Sequence, residues 1–176
     1  EQAQRKEQLS QEYASARAVY ERLRTEVGLL EENIEDISFG IYKPHYDFDS
    51  SERYREELDR IRAKQKELVK TDRAAVCKIE WNVGGSKREG ARMQKQYLKL
   101  MLRAFNGECD AAVAKVTWSN VTKMEERVGK AFEAINDLGG VMQMSLTSDY
   151  LELKVAELRL EFETDEKKHA EAEEQR

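Results

Sequence analysis

A chain of 176 residues has room for one ordinary domain with extensions, and a hydrophobic share of 40% supports only a modest core. Charged residues at 37%, a single proline and a mean hydropathy of -0.81 disfavour a compact β-rich body and point to long, well-solvated helices. The net charge of -5 argues against a general nucleic-acid binder, the two cysteines make no disulfide framework, and no apolar run reaches the ~20 residues of a membrane span.

Leu9, Tyr13, Ala16, Tyr20, Leu23, Val27, Leu30, Ile34 and Ile37 recur at alternating steps of four and three, the heptad period. So narrow an apolar stripe is buried only against another helix. Residues 1–38 are therefore expected to form a coiled-coil arm, and the chain to be a homo-oligomer. The flanks are mixed: in a parallel dimer Glu12 would meet Arg17, but Glu26 would meet Glu31. Gly28 costs about 1 kcal/mol against alanine, and an intramolecular helix pair remains an alternative.

Residues 40–49 break the pattern, because Pro44 excludes a helix interior. Ile41, Tyr42, Tyr46 and Phe48 supply apolar anchors for an ordered loop. Asp49 or Ser50 then caps a second helix running to about Lys70, with the stripe Tyr54, Leu58, Ile61 and Leu68 interrupted by Gln65. Residues 74–81 alternate as a strand, with Cys77, Ile79 and Trp81 on an apolar face, and 82–86 read as a turn. A long helix follows over 88–116, with Met101, Phe105 and Ala112 among its apolar residues and Asn106-Gly107 a candidate kink or break.

Ser119 or Asn120 caps the next helix, which ends at Gly139-Gly140. An extended piece places Met142, Met144 and Leu146 on one side. Thr147 or Ser148 caps the last helix, whose stripe is Leu151, Val155, Leu158 and Phe162. From Glu163 onward no large apolar residue remains, so 164–176 reads as a solvated helical connector. Both termini are uncapped helix-forming sequence and there is no initiator methionine, so the chain reads as an excised piece. The expected fold class is mainly α (α+β): long helices with a small β-hairpin element and an N-terminal coiled-coil arm.

Several stretches are specific enough to compare with known families. They are 39–48 (Phe-Gly-Ile-Tyr-Lys-Pro-His-Tyr-Asp-Phe), Val76-Cys77 with Trp81, Gly84-Gly85-Ser86-Lys87, and Leu-Arg-Ala-Phe-Asn-Gly-Glu-Cys-Asp at 102–110. Met124-Glu125-Glu126-Arg127-Val128, Phe132-Glu133-Ala134-Ile135-Asn136 and Tyr150-Leu151-Glu152-Leu153-Lys154 complete the set. Together they resemble the bacterial SNIPE-associated domain family over about 30–176, most specifically at 102–110. The resemblance implies a helical or membrane-anchoring segment before the domain, a GIY-YIG-type nuclease after it, and a link to defence against bacteriophage. It also implies the cytoplasmic side of the inner membrane and an unidentified phage or host membrane-associated protein partner. The domain plan is then an arm at 1–38, the family domain at 39–163 and a connector at 164–176, with no cofactor, no metal and no catalytic residue carried over.

Candidate sites are weighed against plainer roles. Gly40-Ile41-Tyr42 spells half of the nuclease signature, but no Tyr-Ile-Gly partner follows, so an anchored loop is favoured. Asp47 and Asp49 alternate as metal carboxylates sometimes do, but helix capping accounts for them. Gly84-Gly85-Ser86-Lys87 lacks nucleotide-loop spacing and reads as a hairpin turn. Cys109, beside Asp110, reads as a small core residue rather than a nucleophile, and His45 and His169 have no ligand partners in sequence. The sharpest positive feature is basic: Arg88, Arg92, Lys95, Lys99 and Arg103 share one helix face, opposed locally only by Glu89. Such a face tracks phosphates, although the acidic tail from 163 onward is a candidate to cover it. The function expected is a non-catalytic assembly or targeting module acting through protein contacts and self-association. The alternative is a nucleic-acid-binding module presenting DNA to the attached nuclease through the basic face.

Overall fold

The elements of the computed structural model, which describes residues 2–38 and 42–176 and the side chains of 2–28 and 42–176, are five helices and two short strands. In order they are α1 (Gln2–Ser38), α2 (Ser51–Lys70), β1 (Ala75–Cys77), α3 (Lys87–Lys115), α4 (Val121–Gly140), β2 (Met144–Leu146) and α5 (Ser148–Glu174). The chain divides into two compact units, Glu1–Lys43 and Pro44–Arg176. In the first, the heptad-patterned sequence forms one continuous helix, α1.

In the second unit the helix starts follow side-chain capping. Ser50, not Asp49, caps α2, its hydroxyl accepting from Arg53 N at 3.4 Å, and Ser86 does the same for Glu89 N of α3 at 3.2 Å. Asn120 and Thr147 occupy the cap positions of α4 and α5, yet their side chains bond elsewhere. Asn120 Oδ1 accepts from Thr117 N at 2.6 Å, and Thr147 Oγ1 donates to Arg73 O at 2.7 Å.

The main core gathers Met101, Phe105, Val128, Met144, Tyr150 and Leu158, from α3, α4, β2 and α5. A second cluster holds Tyr54, Leu58 and Ile61 of α2 against Leu160 of α5, with Tyr46 and Phe48 packed on it. Gln65, the break in the α2 stripe, is buried and hydrogen-bonded: its Nε2 donates to Leu153 O at 3.2 Å and to Glu157 Oε2 at 2.5 Å. Glu157 also meets Lys154 at 3.6 Å and Arg62 at 3.4 Å, so the α2–α5 contact contains an ionic centre. Arg159 joins α5 to Glu125 of α4, and Arg127 joins α4 to Glu108 of α3.

Four expectations are corrected. The β element is not a local hairpin: β1 pairs antiparallel with β2, Val76 opposite Ser145, and α3 and α4 intervene. The strand covers 75–77 rather than 74–81, because β2 offers only three partners, and Ile79 is 52% exposed. Asn106-Gly107 does not break α3, which is continuous across it; the Asn106 amide oxygen accepts the Tyr150 hydroxyl at 2.7 Å, so its polar group is used across the core. The end of α5 is not wholly solvated, since Thr164 is buried and Glu171 binds Ser51 of α2.

The turn at 82–86 is present. Val83 bridges Ser86 across Gly84 and Gly85, whose φ values of 59° and 81° are both in the left-handed region, as a two-residue primed turn requires. Just beyond it, α3 passes so close to Trp81 that a Cβ on Gly90 would lie 2.0 Å from the Trp81 carbonyl oxygen.

Candidate functional site

Two surfaces carry chemistry that the cores leave unused. On α1, Leu9, Tyr13, Ala16, Tyr20, Leu23 and Val27 are all exposed, Tyr13 at 69% and Leu23 at 49%. The side chains of Leu30, Ile34 and Ile37 lie outside the described residues, as do Phe39, Gly40 and Ile41 of the expected loop. A heptad-spaced apolar face is the pattern of a helix that packs against another helix.

The second surface is the outer face of α3. Met101, Phe105, Cys109 and Ala112 turn inward, leaving Arg88, Arg92, Lys95, Lys99 and Arg103 all exposed. Arg92 pairs with Glu89 at 3.0 Å, and neighbouring Lys87 approaches Glu80 at 3.9 Å. Arg88, Lys95, Lys99 and Arg103 make no ion pair among the described residues. The acidic tail does not cover this face. Glu171 accepts from Ser51 N at 2.9 Å and from Ser51 Oγ at 2.6 Å, which holds the tail at the start of α2. Between α3 and the end of α2 runs a groove of about 630 Å³, edged by Lys70, Lys95 and Lys99.

The remaining candidates take up structural positions. Glu163, 4% exposed on α5, accepts from the main-chain amides of His45 at 2.6 Å and Tyr46 at 3.1 Å, so one carboxylate fastens the loop before α2. The Tyr54 hydroxyl adds a bond to Tyr46 O at 2.6 Å. The His45 ring is held below its ordinary value by burial first and by the charge of Arg159 second, with Glu125 opposing. Among the described residues no three His, Cys, Asp or Glu side chains gather as a metal set around Asp47 and Asp49 or elsewhere. Cys109 is buried, and desolvation pushes its thiol up to about 12, the reverse of what an activated nucleophile needs. His169 is exposed on α5. No helix among the described residues is long and apolar enough to cross a membrane.

Comparison with known proteins assigns the body. The family model described as the SNIPE associated domain matches residues 51–169, about two thirds of the chain and within the 30–176 span of the sequence resemblance. The chain belongs to the SNIPE-associated domain family. No curated protein and no solved structure matches it. The match covers α2, both strands, α3, α4 and most of α5, so the basic face and the groove beside it lie within the SNIPE-associated domain, whereas α1 lies outside the matched span.

Three residues that organise these surfaces escape a reading of pattern. Glu163 and Glu171 look like ordinary tail acids until folding places backbone amides and a serine against them. Gly90 carries a faint signal, a glycine inside a helical run, where its cost against alanine calls for a packing reason.

Proposed function

We propose that this SNIPE-associated domain is an assembly and targeting module of a bacterial anti-phage nuclease. It self-associates through α1 and engages a partner protein through its helical body, while a GIY-YIG-type domain elsewhere in the protein cuts DNA. The observation that carries the reading is the exposed heptad stripe from Leu9 to Val27 on one continuous helix. Apolar area is stabilising when removed from water, at about 25 cal/mol per Å², and a heptad-spaced face is covered most fully by another heptad-spaced helix. The placement at the cytoplasmic side of the inner membrane belongs to the same proposal and rests on the family resemblance. Sedimentation equilibrium tests the self-association. The native chain is expected to run as an oligomer and a Tyr20→Lys, Leu23→Lys variant as a monomer; equal masses for the two refute the seam.

A second reading is favoured by one observation: among the described residues Arg88, Lys95, Lys99 and Arg103 make no ion pair, on a face that the tail leaves open. In that reading the domain feeds DNA to the nuclease. Titration of duplex and single-stranded DNA at low and physiological salt, with an Arg92→Glu, Lys99→Glu control, decides it. Affinity that survives physiological salt and vanishes in the control supports the DNA reading.

A further inference from the structure

The two-stranded sheet has two outer edges, and the chain treats them differently. Thr147 N donates to Ala74 O at 3.0 Å and Lys78 N to Gln143 O at 2.9 Å, and Val76 lies opposite Ser145 between them. The Ala74 carbonyl, Val76 and the Lys78 amide therefore face the β2 side, while the Ala74 amide donates back to Leu68 O at 3.2 Å. By the alternation of an antiparallel ladder, Ala75 and Cys77 on β1 and Met144 and Leu146 on β2 turn theirs outward.

On the β2 side the outward groups of Leu146 are matched by a side chain. Asn136 Oδ1 accepts from Leu146 N at 2.7 Å, and Asn136 Nδ2 donates to Leu146 O at 3.3 Å. On the β1 side, among the described residues, no hydrogen bond is made to the amide or carbonyl of Ala75 or Cys77. Ala75 is nevertheless only 4% exposed, and buried backbone groups without partners are rare in folded chains.

These unmatched groups border the groove between α3 and the end of α2. Its α3 wall is apolar at Ala91, Leu98 and Leu102. Its charged residues are Lys70, Lys95 and Lys99 against one carboxylate, Asp72. Gln94 closes the far end by donating to Ile79 O at 2.5 Å and to Cys77 Sγ at 3.1 Å, which limits the open edge to a short strand.

We propose that the groove receives an extended acidic peptide segment of a partner protein, which pairs with β1 as a third strand. The peptide main chain supplies the partners that Ala75 and Cys77 lack. Its alternate side chains lie on Leu98 and Leu102 or reach Lys70, Lys95 and Lys99. Strand addition of this kind takes affinity from main-chain bonds and specificity from alternate side chains. A nucleic acid would answer the lysines, but it has no row of alternating amides and carbonyls to offer the strand edge. The inference rests on the protein-binding reading above and names the chemistry of the partner.

The test uses the isotope-labelled full chain and a fluorescein-labelled, end-capped octapeptide of alternating glutamate and valine. Comparators are the same peptide N-methylated on its bonding side, a lysine-for-glutamate peptide and a single-stranded DNA oligonucleotide. A Lys95→Glu, Lys99→Glu variant, both positions being exposed, is checked for fold by circular dichroism. We expect saturable binding of the glutamate peptide, with the Ala75 and Cys77 amide resonances among the most shifted. N-methylation or the double substitution should weaken it by roughly tenfold or more. Equal binding of the N-methylated peptide, no saturable binding of the glutamate peptide, or binding of the oligonucleotide alone overturns the proposal. Sedimentation of the same samples reads α1 separately: a failed titration with self-association intact removes the groove and leaves the assembly reading standing.

Discussion

Substituting Gly90 by alanine tests the placement of α3 against the rest of the domain. An added Cβ would lie 2.0 Å from the Trp81 oxygen, 2.4 Å from its carbonyl carbon and 3.1 Å from Asn82 N. A carbon and a carbonyl oxygen approach no closer than about 3.3 Å even in favourable contacts, so something must move by more than an ångström. All three atoms are backbone, and no rotamer relieves them. Overpacking costs about 1–3 kcal/mol, and an overlap confined to backbone belongs at the upper end. The helix gains about 1 kcal/mol from alanine over glycine, which leaves a net loss of roughly 2 kcal/mol. For a body of this size each kcal/mol is worth about 3–5 °C, so Tm should fall by roughly 6–10 °C. The control lies on the same helix: a Cβ on Gly107 meets nothing within 4 Å, and Gly107→Ala should raise Tm by a few degrees. Thermal melts followed by far-UV circular dichroism read both. If Gly90→Ala melts with the native chain, the close approach of α3 to Trp81 is wrong; if Gly107→Ala melts lower, so is the unbroken helix.

Further expectations concern the interior and the tail. Iodoacetamide should leave Cys109 unmodified in the folded chain at mildly alkaline pH, because burial holds its thiol up at about 12, while labelling after denaturation should reach both cysteines. Glu157→Ala strands the buried Lys154 beside Gln65, while Arg62 keeps Glu161, and should cost about 3 kcal/mol in urea unfolding, the scale of a broken buried ion pair; a loss under ~0.5 kcal/mol would mean the centre behaves as a surface pair. The Glu171 carboxyl is held below its ordinary value of 4.5 by its hydrogen bonds from Ser51. The unfolded chain therefore binds that proton more readily, so this stabilisation is present above about pH 4.5 and is lost as pH falls through the lower folded value. Glu171→Gln should flatten the acid limb of the stability profile, and an unchanged limb would remove the Glu171–Ser51 bonds from the account.

The sequence announces helices whose apolar residues serve one neighbour, and it is quieter about those that serve two. The continuity of α1 follows from its heptads, and the start of α2 from Ser50. On α5 the stripe through Leu151, Val155, Leu158 and Phe162 omits Leu160, which is fully buried against α2. That second face escapes an apolar pattern because Glu157 and Lys154 share the contact with Gln65, and matched polar groups carry no hydrophobic period. The β1–β2 pairing escapes because nothing local links Val76 to Ser145 across two helices. The basic face is legible because its cations share one helix. The groove is not, because Lys70 and the edge of β1 reach it from other elements.

The two proposed surfaces rest on different physics, and salt separates them. The α1 stripe is apolar, and its few charged flanks are of both signs, so its association should persist or strengthen as ionic strength rises. The groove depends on Lys70, Lys95 and Lys99 attracting carboxylates at its rim, where the screening length shrinks from about 10 Å at 0.1 M salt to about 3 Å at 1 M. Main-chain pairing to Ala75 and Cys77 is short, so without the lysines little holds the peptide. We therefore expect peptide affinity to fall by roughly tenfold between low and high salt while the sedimenting mass stays constant. If the mass falls with salt instead, α1 associates through its charges and the heptad account fails. If peptide affinity is indifferent to salt, the lysines are not its partners, and the strand edge alone must account for the binding.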